Sequence, residues 1–325
     1  MKPLSSVAGA FAVVSLFAVA QAASQQLSVS RLVSGLEGGG GSAIGPEGAL
    51  YVTEARAGRI SRVDPHTGEV TTFATGLPPR IVGTGGAMDI AFIGKTAYVL
   101  VTLVGSDVGG NDAVGIYRVD GPSTVTLVAD IGQFAIEHPP ETDYFVPSGV
   151  QYALDVFRGG FLVTDGHHNR VLRVTLDGEV TEFLAFDNIV PTGLAIRGND
   201  VYMAEAGPVP HLPENGKVVV IDAHTLTTTE LASGAPLLVD VEFGLGRELY
   251  ALSQGDFSGG PPGAPALPDT GALVAVNGDG TVTVLVDRLN QPTSMEFIGN
   301  TAYLVTLSGE VWKIENVSAP PYGGK

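Results

Sequence analysis

Three observations predict an all-β chain built from repeated units. Long helical periodicity is missing, glycine is abundant at 44 of 325 residues, and short Val/Thr-rich apolar runs alternate with turn signals. One strand pattern recurs six times, as "LYVTEA" (50–55), "AYVLVT" (97–102), "FLVTDG" (161–166), "VYMAEA" (201–206), "LYALSQ" (249–254) and "AYLVTL" (302–307). Anchored on Tyr51, Tyr98, Leu162, Tyr202, Tyr250 and Tyr303, the spacings are 47, 64, 40, 48 and 53 residues. A four-stranded propeller blade takes about 40–50 residues, so the pattern predicts a six-bladed β-propeller with loop insertions in the longer units.

Each unit carries its elements in the same order. An inner strand comes first, as in "MDIAFIG" or "PTGLAIRG", and the recurring strand follows. A third strand is next ("GRISRVD", "VGIYRVD", "NRVLRVT", "GKVVVID", "GALVAVN", "GEVWKIE"). A Thr/Val-rich fourth closes the unit ("VTTFATGL", "STVTLVAD", "VTEFLAF", "TTTELASG", "TVTVLVDRL"). The sixth unit stops after "VWKIENV" and lacks a fourth strand. "QLSVSRLVSGL" (26–36) has the fourth-strand pattern and stands before unit one. The expectation is a ring closed by this N-terminal strand, which is contributed to the last blade and pairs an edge otherwise left open.

The ends of the chain read differently. Lys2, the apolar run Leu4–Ala20 and the small-residue pattern Ala20-Gln21-Ala22 predict a signal peptide over 1–22. The propeller is expected as a single domain over 23–317, with a flexible tail over 318–325, no integral membrane segment after signal cleavage, and an extracytoplasmic location, periplasmic or secreted. The formal charge is −17. Such a surface repels phosphate backbones and argues against nucleic acid as a partner. The absence of cysteine excludes disulfides, thiolate metal sites, a cysteine nucleophile and a cysteine-linked lipid anchor.

"VDPHTGEVTTFATGL", "VPTGLAIRGNDVYMAEAG", "LVDVEFGLGRELYAL" and "GALVAVNGDGTVTVLVDRLNQPTSMEFIGNTAYLV" resemble the ScyD/ScyE family, exported propellers related to NHL-repeat proteins. The resemblance spans about 27–317. It implies a propeller and little defined chemistry. More distant relatives of that shape include calcium-dependent lactonases, strictosidine-synthase-like proteins and virginiamycin B lyases, whose metal ligands do not carry over residue by residue. The chain also departs from the family at Val146-Pro147-Ser148-Gly149, where the family resemblance implies Asn-Pro-Tyr-Gly, so any role of that Asn is lost.

The insertions fall on one face. "LVGSDVGGND" (103–112), "GPVPHLPEN" (207–215) and "GDFSGGPPGAPALPDT" (255–270) join second to third strands, and "FAIEHPPETDYFVP" (134–147) leads into unit three. Long loops on one side of a rigid scaffold usually build a binding site. At the starts of the inner strands, Asp89 and Asp240 share a register in which other units carry Gly193 and Ser294. Units two and five are opposite in a ring of six, so the two carboxylates are candidates to face each other and hold a divalent cation, Ca or Mg, helped by Gln151, Thr192, Thr293 and Ser294. The alternative is that each aspartate caps its own turn or accepts N–H groups from the neighbouring blade.

A second set, Glu54, Asp165 and Glu205, ends the second strands of units one, three and four, where it can meet a ligand or bind backbone N–H groups of the next turn. His211, in "PVPHLPEN", His138, and the adjacent pair His167 and His168 complete the candidates; His167, His168 and His211 are the candidate proton carriers. "TEARAGRISRV" (53–63) aligns without a gap to "TDGHHNRVLRV" (164–174), which places Asn169 on Gly58. "DGHHN" therefore reads first as a tight turn with Asn at positive φ. No nucleophile, zincin, Walker or Rossmann motif is present. Two function classes stay open: an exported binding or scaffold propeller for a small molecule, glycan or protein, and a divalent-metal-dependent hydrolase, lactonase or lyase at the channel mouth.

Overall fold

The computed structural model describes residues 26–318, apart from 262; the expected signal peptide and most of the expected C-terminal tail lie outside them. Six antiparallel sheets of four strands form the ring. Blades 1 to 5 are continuous in sequence, with inner strands Gly39–Ile44, Gly86–Ile93, Gln151–Phe157, Pro191–Arg197 and Leu238–Phe243. Blade 6 takes Pro292–Ile298, Thr301–Thr306 and Val311–Glu315, and Ser28–Val33 supplies its fourth strand, antiparallel to Val311–Glu315. The N-terminal closure is as expected. The Arg31–Glu310 ion pair at 2.7 Å and the bond from Asn316 Nδ2 to the carbonyl of Gln26 reinforce the seam.

The strand compositions follow from position. Second strands are covered on both faces by neighbouring blades, so Leu50–Glu54 and Gly160–Asp165 are buried throughout. Fourth strands form the rim, and Val70–Thr75 and Val180–Ala185 are largely exposed, which suits Thr and alternation. One apolar cluster fills each of the six blade-to-blade interfaces. Aromatic contacts such as Tyr51 with Phe73 and Phe92, Tyr202 with Phe243, and Tyr250 with Phe297 bridge strands or blades there.

One α-helix departs from the all-β reading, beside three single-turn 3-10 segments among the described residues. Ile131–Glu137 is a short helix capped by Asp130, whose side chain accepts the N–H of Gln133. It lies in the insertion leading into blade 3, part of which the sequence reading took as loop.

Every inner strand carries a register shift near its start, as at Gln151/Leu154 and Pro292/Ser294. Such a bulge leaves backbone N–H groups without a ladder partner, and each must find another acceptor. Thr53 and Thr164 supply two, accepting from Gly41 and Ala153. Aspartates of a neighbouring blade supply others.

Candidate functional site

A cavity of about 1010 Å³ occupies the centre of the ring and is lined by all six inner strands and by the long loops. It collects Asp89, Thr192, Asp240, Thr293, Ser294, His167 and His211 from the sequence candidates. Glu54, Gln151, Asp165, Glu205 and His168 are not among its lining residues; each is turned into the blades instead.

Asp89 and Asp240 do matching work. Asp89 Oδ1 accepts the N–H of Ile90 at 2.8 Å, and Oδ2 accepts that of Leu154, in the next blade, at 2.7 Å. Asp240 Oδ1 accepts from Val241 at 2.9 Å, and Oδ2 from Met295 of the next blade at 2.6 Å. The acceptors at the bulges of blades 3 and 6 are therefore these side chains. On the preceding blade stands glycine in each case: a Cβ at Gly41 or Gly193 would overlap the aspartate itself. Both aspartates face the cavity yet lie deep in the protein. Burial raises Asp89 to about 8, and burial with the charge of Asp89 raises Asp240 well above the usual carboxylate range.

Two residues further along the strands, about 7 Å deeper, Asp155, Glu242 and Glu296 form a second acidic layer at the cavity wall. Burial raises Asp155 to about 6. Burial and Asp240 raise Glu242 to about 8, and burial with Glu242 pushes Glu296 well above its ordinary value. Arg197, stacked 3.6 Å over Phe243, partly offsets the rise at Glu242. Sequence reasoning missed this layer. The signal was present in "LVDVEF" and "PTSMEF", where the period-2 rule puts Glu242 on the face of Asp240 and Glu296 on that of Ser294.

The second-strand acids satisfy turns and ion pairs. Glu54, fully buried, accepts from Arg59 Nε and an Arg59 terminal nitrogen at 2.7 and 2.6 Å, from Ser61, and from the N–H of Glu37. Burial works against its ionisation, but these partners outweigh it and hold the carboxyl below its ordinary value. Asp165, also fully buried, accepts the N–H of Val150 and lies 3.2 Å from His168 Nδ1 and 3.5 Å from Arg170 Nε. Glu205 has Lys217 as cross-strand neighbour, but Lys217 Nζ bonds Glu230 at 2.7 Å, and burial raises Glu205 to about 7. Gln151 bonds Thr102 and Ser148, and the Thr192 hydroxyl lies within bonding distance of the carbonyls of Ala204 and Leu238. Thr293 reaches the carbonyl of Gly40, and Ser294 the hydroxyl of Ser42 at 2.5 Å. These last contacts join blade 6 to blade 1.

The turn reading of "DGHHN" agrees with the backbone: Asn169 has φ 54° and Gly58 φ 59°. The Asn169 side chain also accepts the N–H groups of Ile189 and Val190, tying the turn to the entry of blade 4. The paired histidines diverge. His168 is buried, with Nε2 3.0 Å from the carbonyl of Val146. His167 lines the cavity, and its Nε2 accepts the N–H groups of Phe145 and Val146 at 2.8 and 3.1 Å. Those bonds place its proton on Nδ1. Burial, with His168 next, lowers its pKa. His211 has the opposite arrangement: Nδ1 lies 2.7 Å from the carbonyl of Gly207, so Nδ1 carries the proton and Nε2 is the basic atom. His138 stacks on Phe134 and stays outside the cavity.

Around the mouth, Val82, Phe145 and Val209 line the cavity with exposures of 37, 64 and 46 %. Arg80 is the one Lys or Arg among the described lining residues. Among the described residues, no three His, Asp or Glu side chains converge closely enough to hold a metal ion.

No protein-family model matches the chain, and no curated protein sequence is detectably similar to it. Solved structures are similar in shape. A gluconolactonase from Xanthomonas campestris superposes with a TM-score of 0.63 at 13% identity, covering 90% of each chain. The PQQ-bound aldose sugar dehydrogenase of Streptomyces coelicolor gives 0.62 at 14%, over 89% of this chain and 98% of that one. A catalytically inactive His-to-Ala variant of Staphylococcus aureus virginiamycin B lyase, with quinupristin, gives 0.55 at 13%, over 89% and 99%. At such identities the likeness carries the fold alone, and that fold is the six-bladed propeller.

Proposed function

We propose that the chain is an exported propeller of the ScyD/ScyE type that binds a small organic molecule in the central funnel, entered from the loop-rich face. A cavity of about 1010 Å³, at the upper end of the size of ligand pockets, carries this reading. Its mouth is apolar and its wall holds a few polar groups, which is the usual composition of a small-molecule site. A glycan or protein ligand engaging the loops alone would leave the funnel unused. Methionine methyl NMR tests the reading directly. Met88 and Met295 line the cavity, whereas Met203 is packed inside a blade interface. Titration with a fragment library is expected to shift Met88 and Met295 and leave Met203 in place. Binding that moves neither cavity methyl overturns the reading.

The second reading is a calcium- or magnesium-assisted hydrolase, lactonase or lyase. What favours it is the presence of Asp89, Asp240, His167 and His211 in one cavity. The residues fit a metal poorly as they stand, because each aspartate oxygen already accepts an N–H and no third ligand converges with them among the described residues. Metal analysis of the purified protein, with a thermal melt in EDTA, separates the two. A bound divalent cation that is lost in the Asp89→Asn/Asp240→Asn double variant supports the enzyme. A metal-free protein with an EDTA-insensitive melt removes it.

A further inference from the structure

Resting on the binding reading above, we propose that the ligand of the funnel is an organic cation. A protonated amine or guanidinium sits among Asp155, Glu242 and Glu296, and its apolar body lies against Phe145, Val82 and Val209.

Charge and shape support this together. Five carboxylates, Asp89, Asp155, Asp240, Glu242 and Glu296, face the cavity from four of the six inner strands. The upper pair is held by backbone N–H groups, and below it Asp155 accepts the N–H of Val156 at 2.6 Å; none of the lower three receives a cationic side chain within ion-pair distance among the described residues. Arg197 bears on Glu242 but is committed to the ring of Phe243. Arg80 and Asp143 line the cavity with the loops, and a cation would leave the lower carboxylates less destabilised than they are alone. The three lower acids are spread over blades 3, 5 and 6 rather than gathered on one point. That spacing suits the several N–H donors of an organic cation better than the compact shell of a metal ion.

His211 is the independent observation. It is 8 % exposed and lines the cavity, and its Nδ1 proton is committed to the carbonyl of Gly207. Its Nε2 has no hydrogen-bond partner among the described residues. Nε2 is not sealed off from the cavity, so it is an acceptor open to a donor of a ligand, a hydroxyl or amide N–H in the body of the molecule. His167, on the neighbouring blade and lining the same cavity, offers Nδ1–H. The net charge of −17 also draws cations toward the protein.

Isothermal titration calorimetry with 4-phenylbutylammonium, the matched alcohol 4-phenylbutan-1-ol, and calcium chloride is the test. The amine is expected to bind at least tenfold more tightly than the alcohol and to shift Met88 and Met295. The Glu242→Gln/Glu296→Gln double variant is expected to lose at least tenfold in amine affinity with alcohol affinity unchanged; an unmoved Met203 resonance shows that it is folded. Equal binding of alcohol and amine overturns the cation and leaves the small-molecule reading standing. Absence of amine binding overturns the cation, and if the fragment library also leaves both cavity methyls unmoved, the small-molecule reading falls with it. Calcium binding that the double variant abolishes overturns the organic cation in favour of a metal.

Discussion

Three blades apart, Gly41, Asp89 and the N–H of Leu154 on one half of the ring correspond to Gly193, Asp240 and the N–H of Met295 on the other. One step deeper the halves differ. Ala43, Ala91 and Asp155 stand opposite Ala195, Glu242 and Glu296. Blades 1 and 4 also differ further out, where Glu54–Arg59 is a closed ion pair and Glu205–Lys217 is not, because Lys217 turns to Glu230. What repeats is what a bulged inner strand requires: an acceptor for its free N–H and a glycine that makes room for that acceptor. What fails to repeat lies one step deeper, where blade 5 carries Glu242 against Ala91 of blade 2, while blades 3 and 6 both carry an acid, Asp155 and Glu296.

The largest expected effect separates Glu54 from Glu205. Glu54→Ala removes the acceptor of four hydrogen bonds from a fully buried site and is expected to destabilise by about 3 kcal/mol in urea denaturation. Glu205→Gln is expected to do the reverse at alkaline pH. Its folded pKa, about 7, lies above the unfolded value, so the folded state binds the proton more tightly and stability falls as pH rises from the unfolded pKa through 7. The Gln variant should match the wild type near pH 4 and melt higher at pH 8. Equal losses for both substitutions would break the contrast between blades 1 and 4.

The upper layer predicts equality instead. Asp89→Ala and Asp240→Ala each strand two N–H groups, one of them in the next blade, and each should cost about 1–3 kcal/mol at pH 5. The loss should shrink by pH 9, because both carboxyls have raised pKa values and their ionisation progressively destabilises the wild type between the unfolded pKa and the folded one. A large difference between the two variants at pH 5 would show that the two halves are not equivalent at this layer.

The ring itself was legible because a propeller repeats its sequence pattern. The second strands gave the blade count, and the missing sixth fourth-strand pointed to Ser28–Val33 as the closure. Asn169 in register with Gly58 gave the positive φ of the histidine turn. The register of Asp89 and Asp240 was also readable, but not the hydrogen bonds to Leu154 and Met295, since a bulge leaves no mark in composition. Glu242 and Glu296 stood in the quoted strands, two residues beyond positions already chosen, and following the alternation one step would have found them. The helix Ile131–Glu137 is too short for periodicity to reveal. The opposite tautomers of His167 and His211 depend on loop atoms, the N–H groups of Phe145 and Val146 and the carbonyl of Gly207, whose positions only the folded chain fixes.

A third contrast probes the layer where the halves part. Glu242→Gln keeps the side-chain shape and removes an ionisation that burial and Asp240 oppose. With a folded pKa of about 8 against an unfolded value near 4.5, the wild type loses stability progressively across that interval, and the variant does not. Its melting temperature should match the wild type at pH 4 and exceed it at pH 8.5 by several degrees. The reciprocal change, Ala91→Gln, adds a neutral side chain where the first half carries a methyl, and its effect on melting should not depend on pH. If Ala91→Gln tracks pH as Glu242→Gln does, the difference in melting arises from packing in the channel and not from the charge of blade 5.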